Sequence, residues 1–91
     1  MLTEFQKYKA AEYCSSFVAG MFAKMHNPEY RGDKFTWNKF PDMVAGLVKA
    51  QVFIIFYRKP KNLTEIEDWA FNRSKNIAES LIHAAGYVSD D

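Results

Sequence analysis

The stretch between Pro41 and Pro60, DMVAGLVKAQVFIIFYRK, restricts what this chain can fold into more than any other part of it. Val44, Leu47, Val48, Gln51, Ile54 and Ile55 recur at helical spacing, and Met43, Ala50, Val52, Phe53, Phe56 and Tyr57 fill the other sides. The second half is therefore apolar nearly all round, and a helix apolar on every side has to be covered on every side. The longest unbroken apolar run, Val52 to Tyr57, is six residues, where about 20 are needed to cross a bilayer. Cover is thus expected from protein, with no membrane as a partner. The spacing predicts a second helix over about residues 41–59. Pro41 suits a first turn, Asp42 the positive end of the helix dipole and Arg58-Lys59 the negative end, and Pro60 stops it. The β-branched and aromatic run 51–58 also suits a strand, and the sequence leaves that rival open.

Two further helices flank this one. The first is predicted over about residues 3–25. Thr3-Glu4-Phe5-Gln6 has the reciprocal spacing of a capping box. Ala10, Cys14, Phe17, Val18, Met21 and Met25 follow at helical period, until Asn27-Pro28 pushes the backbone out of the α region. The third, about 64–85, begins at Asn62 or Thr64. Thr64-Glu65-Ile66-Glu67 again reads as a capping box, and Gly86 stands where a left-handed closing residue belongs, with Tyr87 and Val88 able to fold back. Ser89-Asp90-Asp91 reads as a solvated tail.

Between the first two helices lies a connector, residues 27–40, that mixes cations and aromatics. About a dozen residues is long for a compact domain. Either a short helical turn forms around Thr36-Trp37-Asn38, or the segment is a functional loop. Taken together, the pattern predicts an all-α fold, one domain over residues 1–91, as a three-helix bundle-like subunit.

A bundle of this kind has more apolar and aromatic surface than it can easily hide. Eight Phe, five Tyr and two Trp among 91 residues are a heavy load for one small core. An uncovered patch on the second helix invites association, so a homo-oligomer, most simply a dimer, is expected, with Phe53, Phe56 and Tyr57 near its interface. The net charge of +1 conceals a polarised chain. Residues 24–61 carry eight basic residues against three acidic ones, and residues 62–91 carry two against six. Two segments that neutralise each other on folding account for most of that asymmetry.

Few residues suggest chemistry. Cys14 is alone, which rules out an internal disulfide, and sits mid-helix with no base or cation to activate it. A reducing, cytoplasmic setting follows as the simplest expectation, and no secretory leader is expected, since lysines appear before any apolar run. His26 and His83 both fall at helix C-termini, where the dipole accounts for them. Glu65 and Asp68 have the spacing of one magnesium-holding pair in all-helical nucleotide pyrophosphohydrolases, but a second acidic pair on a facing helix is missing. No metal, cofactor or catalytic set is expected.

The connector residues Tyr30, Arg31, Lys34, Trp37 and Lys39 are the candidate partner-binding set. Their mixture suits a protein interface anchored by Tyr, Trp and Arg, single-stranded nucleic acid stacked on aromatic faces, or an internal plug whose lysines stay wet. A pI near 7.8 is low for a dedicated nucleic-acid binder. The sequence therefore predicts a small non-enzymatic interaction protein, an oligomeric helical regulator or inhibitor with a protein partner, in a size and style that suit a phage or other mobile-element gene. Nucleic-acid binding through residues 30–40, and metal-dependent nucleotide hydrolysis through Glu65 and Asp68, are the alternatives.

Overall fold

The computed structural model describes residues 1–88; the acidic end, expected as a solvated tail, lies outside the described residues. α1 (Glu4–Lys24) opens on the capping box that its sequence announces: the Gln6 amide donates to Thr3 Oγ1 and the Thr3 amide donates to Gln6 Oε1, both at 3.0 Å. Asn27 then starts a new element instead of only ending the old one. Its side chain accepts from the Glu29 amide at 3.0 Å and caps the short helix α2 (Pro28–Arg31), with Pro28 in its first turn. A 3₁₀ turn, Trp37–Lys39, follows and leads directly into α3 (Phe40–Gln51). Of the two readings of the connector, the helical turn around Trp37 is the one present.

α3 is shorter than predicted. It begins at Phe40 with Pro41 in its first turn, but it ends at Gln51, well before Pro60. Val52–Ile55 tighten into a 3₁₀ turn and Phe56 is extended. The β-branched and aromatic residues here lose rotamer freedom in an α-helix, and no further element among the described residues lies outside α3 to cover a continued all-round apolar helix. Tightening the chain places Val52 fully inside while Ile55 and Phe56 pack at the margin of the core. Arg58 and Lys59 therefore do not cap α3; they lie in the link to the next helix. The strand alternative is absent too: every regular element among the described residues is helical.

α4 (Leu63–Ala84) starts from Asn62, the earlier of the two predicted sites, and the capping box expected at Thr64 does not form. The Ile66 amide already donates to the Asn62 carbonyl at 3.2 Å, so Thr64 falls inside the helix. The Asn62 side chain is occupied elsewhere: its Nδ2 donates to the Met1 carbonyl and to Gln6 Oε1, each at 3.0 Å, and its Oδ1 accepts from Gln6 Nε2. At the other end Gly86 takes φ 76°, the left-handed conformation glycine adopts without steric cost. The Tyr87 amide donates to the Ile82 carbonyl (2.9 Å) and the Gly86 amide to the His83 carbonyl (3.0 Å), the two bonds of a Schellman turn.

The result is all-α, a three-helix bundle-like fold in which α4 is the central helix. α3 and α1 both pack on α4 and touch each other far less. Two clusters form the core. Ala10, Cys14, Val48, Val52, Ile66 and Ala70 fill the end near the α3–α4 link. Val18, Met25, Phe40, Val44, Ala78 and Ile82 fill the end near the connector. Burying each of the larger side chains contributes roughly 1.5–3 kcal/mol. The ion pairs Lys49–Asp68 (3.1 Å) and Lys75–Asp42 (3.2 Å) run along the α3–α4 seam; being largely exposed, they add little to stability. Two helix-interior glycines, Gly20 and Gly46, have open space where a Cβ would stand.

Candidate functional site

Among the described residues the packing assembles no catalytic constellation, and the aromatic side chains collect at the two ends of the bundle. At the connector end the aromatics meet one another. Phe22, from α1, lies against His26, Trp37, Phe40 and Tyr87, with ring centroids 4.8–6.1 Å apart. Trp37 stacks on Tyr87 at 4.7 Å with the planes 22° apart, and Phe35 closes edge-on against Trp37.

His26 ties this cluster to two helix ends. Its Nδ1 lies 2.7 Å from the Phe22 carbonyl, which only accepts, so Nδ1 carries the proton. Nε2 then accepts from the Tyr87 hydroxyl at 2.6 Å. The histidine thus satisfies a carbonyl in the last turn of α1 and holds the chain leaving α4.

The five partner-binding candidates of the connector separate accordingly. Trp37 is half-buried in the aromatic cluster, and Arg31 folds back to donate to the Met25 carbonyl at 3.2 Å, with its guanidinium over Phe35. Tyr30 is exposed beneath the Lys24 ammonium, and Lys34 and Lys39 are exposed.

At the opposite end the aromatics face water. Phe53 is 52% exposed, Ile54 61% and Tyr57 98%, while Phe56 is half-buried. Phe53, Phe56, Tyr57, Lys59 and Leu63 line an open groove of about 380 Å³. Beside it Arg58, Lys59 and Lys61 are all exposed. Among the described residues no ion pair involves any of these three, whereas Lys7, Lys49 and Lys75 each lie within 4 Å of a carboxylate.

Of the residues expected near an oligomer interface, Phe53 and Tyr57 are exposed and Phe56 is half-buried; Leu47 and Ile54, expected on the apolar stripe of α3, are exposed as well. Sequence reasoning also treated Arg58 and Lys59 as helix-end charges. The R-K-P-K run immediately after six apolar residues was the signal that these cations belong to the same surface.

The groups that could have supported catalysis are held in other roles. Glu65 Oε2 binds the N-terminal ammonium at 2.7 Å and Asp68 binds Lys49. Among the described residues no group of three or more His, Cys, Asp or Glu side chains is placed to hold a metal. Cys14 is fully buried; its thiol donates to the Ala70 carbonyl at 3.6 Å. Burial pushes that thiol above the usual range, and the nearby Ser74 hydroxyl and Arg73 pull the other way. The Ser74 Oγ itself is buried and makes no hydrogen bond of normal geometry. No helix among the described residues is long and apolar enough to cross a membrane. Set against known protein families, curated proteins and solved structures, the chain matches none.

Proposed function

We propose that the protein is a non-enzymatic helical module that works by occupying the surface of a macromolecular partner, as a regulator or inhibitor would. The observation that carries this reading is the open end: Phe53, Ile54 and Tyr57 stand in water beside three cations with no carboxylate partner among the described residues. Contiguous apolar surface of this kind marks interaction sites on small proteins, and aromatic residues with arginine are the usual anchors of such contacts. A reducing, cytoplasmic setting suits a chain whose one thiol is free and buried.

The test is affinity capture from an extract of the native host with three baits. These are the wild-type chain, the Phe53→Asp/Tyr57→Asp variant and a connector variant with Arg31, Lys34 and Lys39 reversed to Glu. Loss of the captured protein with the first variant alone supports the open end as the working surface. Loss with the connector variant alone assigns the partner to the surface of Arg31, Lys34 and Lys39 instead. Capture unchanged by both variants sinks the reading.

Self-association is a second reading, favoured by the apolar and aromatic character of the same exposed patch. It predicts a dimer by sedimentation velocity that Tyr57→Asp converts to monomer. Against it, a symmetric contact through this patch brings two copies of Arg58, Lys59 and Lys61 together, and like charges face to face oppose association. Nucleic acid is less well supplied: Trp37, the best stacking platform in the connector, is engaged by Tyr87.

A further inference from the structure

We infer that the open end binds a short acidic segment of a partner protein, with one large apolar side chain of that segment seated in the groove between the 3₁₀ turn and the start of α4. This rests on the reading of the open end as the working surface and names the chemistry it takes. Three observations converge on it.

The first is size. The groove, about 380 Å³, lies toward the small end of the range for ligand sites, room for one or two bulky side chains but not for a folded domain. Fully covered, the three aromatics Phe53, Phe56 and Tyr57 would together bury only about 450–750 Å², so the apolar part of the tip falls short of the ~800 Å² that each side of a standard protein–protein interface buries. A linear segment matches that area better than a second globular surface.

The second is lining. Phe53, Phe56, Tyr57 and Leu63 supply apolar and aromatic walls, and Lys59 supplies the one cation among the groove residues. Such a site rewards an aromatic or branched aliphatic anchor with an acid beside it.

The third is charge. Arg58, Lys59 and Lys61 fall within four residues with no acid among them, and no ion pair among the described residues meets any of the three. Carboxylates flanking the anchor would answer them, and a rim of that sign speeds encounter and rejects basic or neutral competitors.

The experiment is a display selection of short random peptides on the full-length chain, run in parallel on Phe53→Asp/Tyr57→Asp and on Arg58→Glu/Lys59→Glu/Lys61→Glu. All five positions are exposed, so both variants should fold, as circular dichroism checks. The expected consensus on the wild type is at least two acids around one aromatic or large aliphatic residue. A fluorescein-labelled peptide of that consensus should lose affinity on the order of tenfold or more on the charge-reversed variant. It should also weaken between about 50 mM and about 500 mM salt, since these charges are exposed to screening.

A basic or uncharged consensus that still needs Phe53 and Tyr57 overturns the acidic assignment and leaves the open end as the working surface. A consensus retained on both substituted chains overturns the inference, as does wild-type enrichment no greater than theirs. So does a wild-type dimer that Tyr57→Asp dissolves, because the occupant is then a second copy. The host-capture experiment fails or succeeds independently of all these outcomes.

Discussion

The two ends of this bundle carry similar residues and use them in opposite ways. Near the connector, Phe22, Trp37 and Tyr87 pack on His26, and Phe35 and Phe40 pack in turn on Trp37. Near the α3–α4 link, Phe53 and Tyr57 face solvent. The difference lies in what folds back over them. At the connector end a Schellman turn at Gly86 returns Tyr87 and Val88 onto the bundle, and the Trp37 turn closes from the other side. At the open end α3 stops at Gln51 and the chain to Asn62 passes without an α-helix to lay across it. Aromatic content alone says nothing about exposure; the chain's path at each helix end decides it.

That contrast can be tested by substitution at each end. Phe40→Ala, at the fully buried closed end, should cost about 3–5 kcal/mol, the range for emptying a buried aromatic site, a large share of a small domain's ~5–15 kcal/mol. Urea unfolding followed by circular dichroism measures it, and a loss under about 1 kcal/mol would mean that the closed end is not packed as described. Gly46→Ala and Gly20→Ala should each gain roughly 0.5–1 kcal/mol, because both glycines lie in helix interiors and an added Cβ meets nothing. A stabilised variant that also loses its partner would extend the open surface along the helices.

Tyr87→Phe removes only the hydroxyl that His26 accepts from, and should cost about 0.5–1 kcal/mol at neutral pH. Tyr57→Phe, at the open end, should cost nothing measurable in the same assay. Tyr57→Ser and Phe53→Ser should likewise shift stability by no more than about 0.5 kcal/mol, the usual limit for surface changes, while altering association. If Tyr57→Ser unfolds the chain as readily as Phe40→Ala does, the two ends are not different in kind.

Legibility in the sequence follows the range of the forces involved. Thr3 with Gln6, Pro41 in a first turn and Gly86 past a last turn act within a few residues, and each stands where local chemistry put it. The end of α3 was not legible, because an apolar run on all sides looks the same as α-helix or 3₁₀ turn until its neighbours are known. The N-cap of α4 went astray for a related reason. Thr64 has the right spacing, but the start is fixed from Asn62, which Gln6, 56 residues away in sequence, holds by a side-chain pair. The role of Trp37 depended on Tyr87 reaching it, a contact between distant parts of the chain. Among the candidate surface residues, Phe53 and Tyr57 were readable as excess apolar residues; Ile54 was not, since its exposure depends on where α3 stops.

Cys14 has a further consequence. It is buried among Val48, Val52, Ile66 and Ala70, where α1, α3, the 3₁₀ turn and α4 meet, so a thiol reagent reaches it only when that junction comes apart. The rate at which this single sulfur is trapped is therefore a built-in reporter of opening, with no added label. Burial raises the folded thiol's pKa above that of the open chain, so the stability it contributes is complete below about pH 8.5. It is lost as pH rises through the folded value. Trapping should thus accelerate in alkali for two reasons at once, a more reactive thiolate and a junction that opens more often. Urea unfolding of Cys14→Ala across the same pH range separates them, because that substitution removes the thiol's pH-dependent share of the stability and otherwise costs only a packing loss that does not vary with pH.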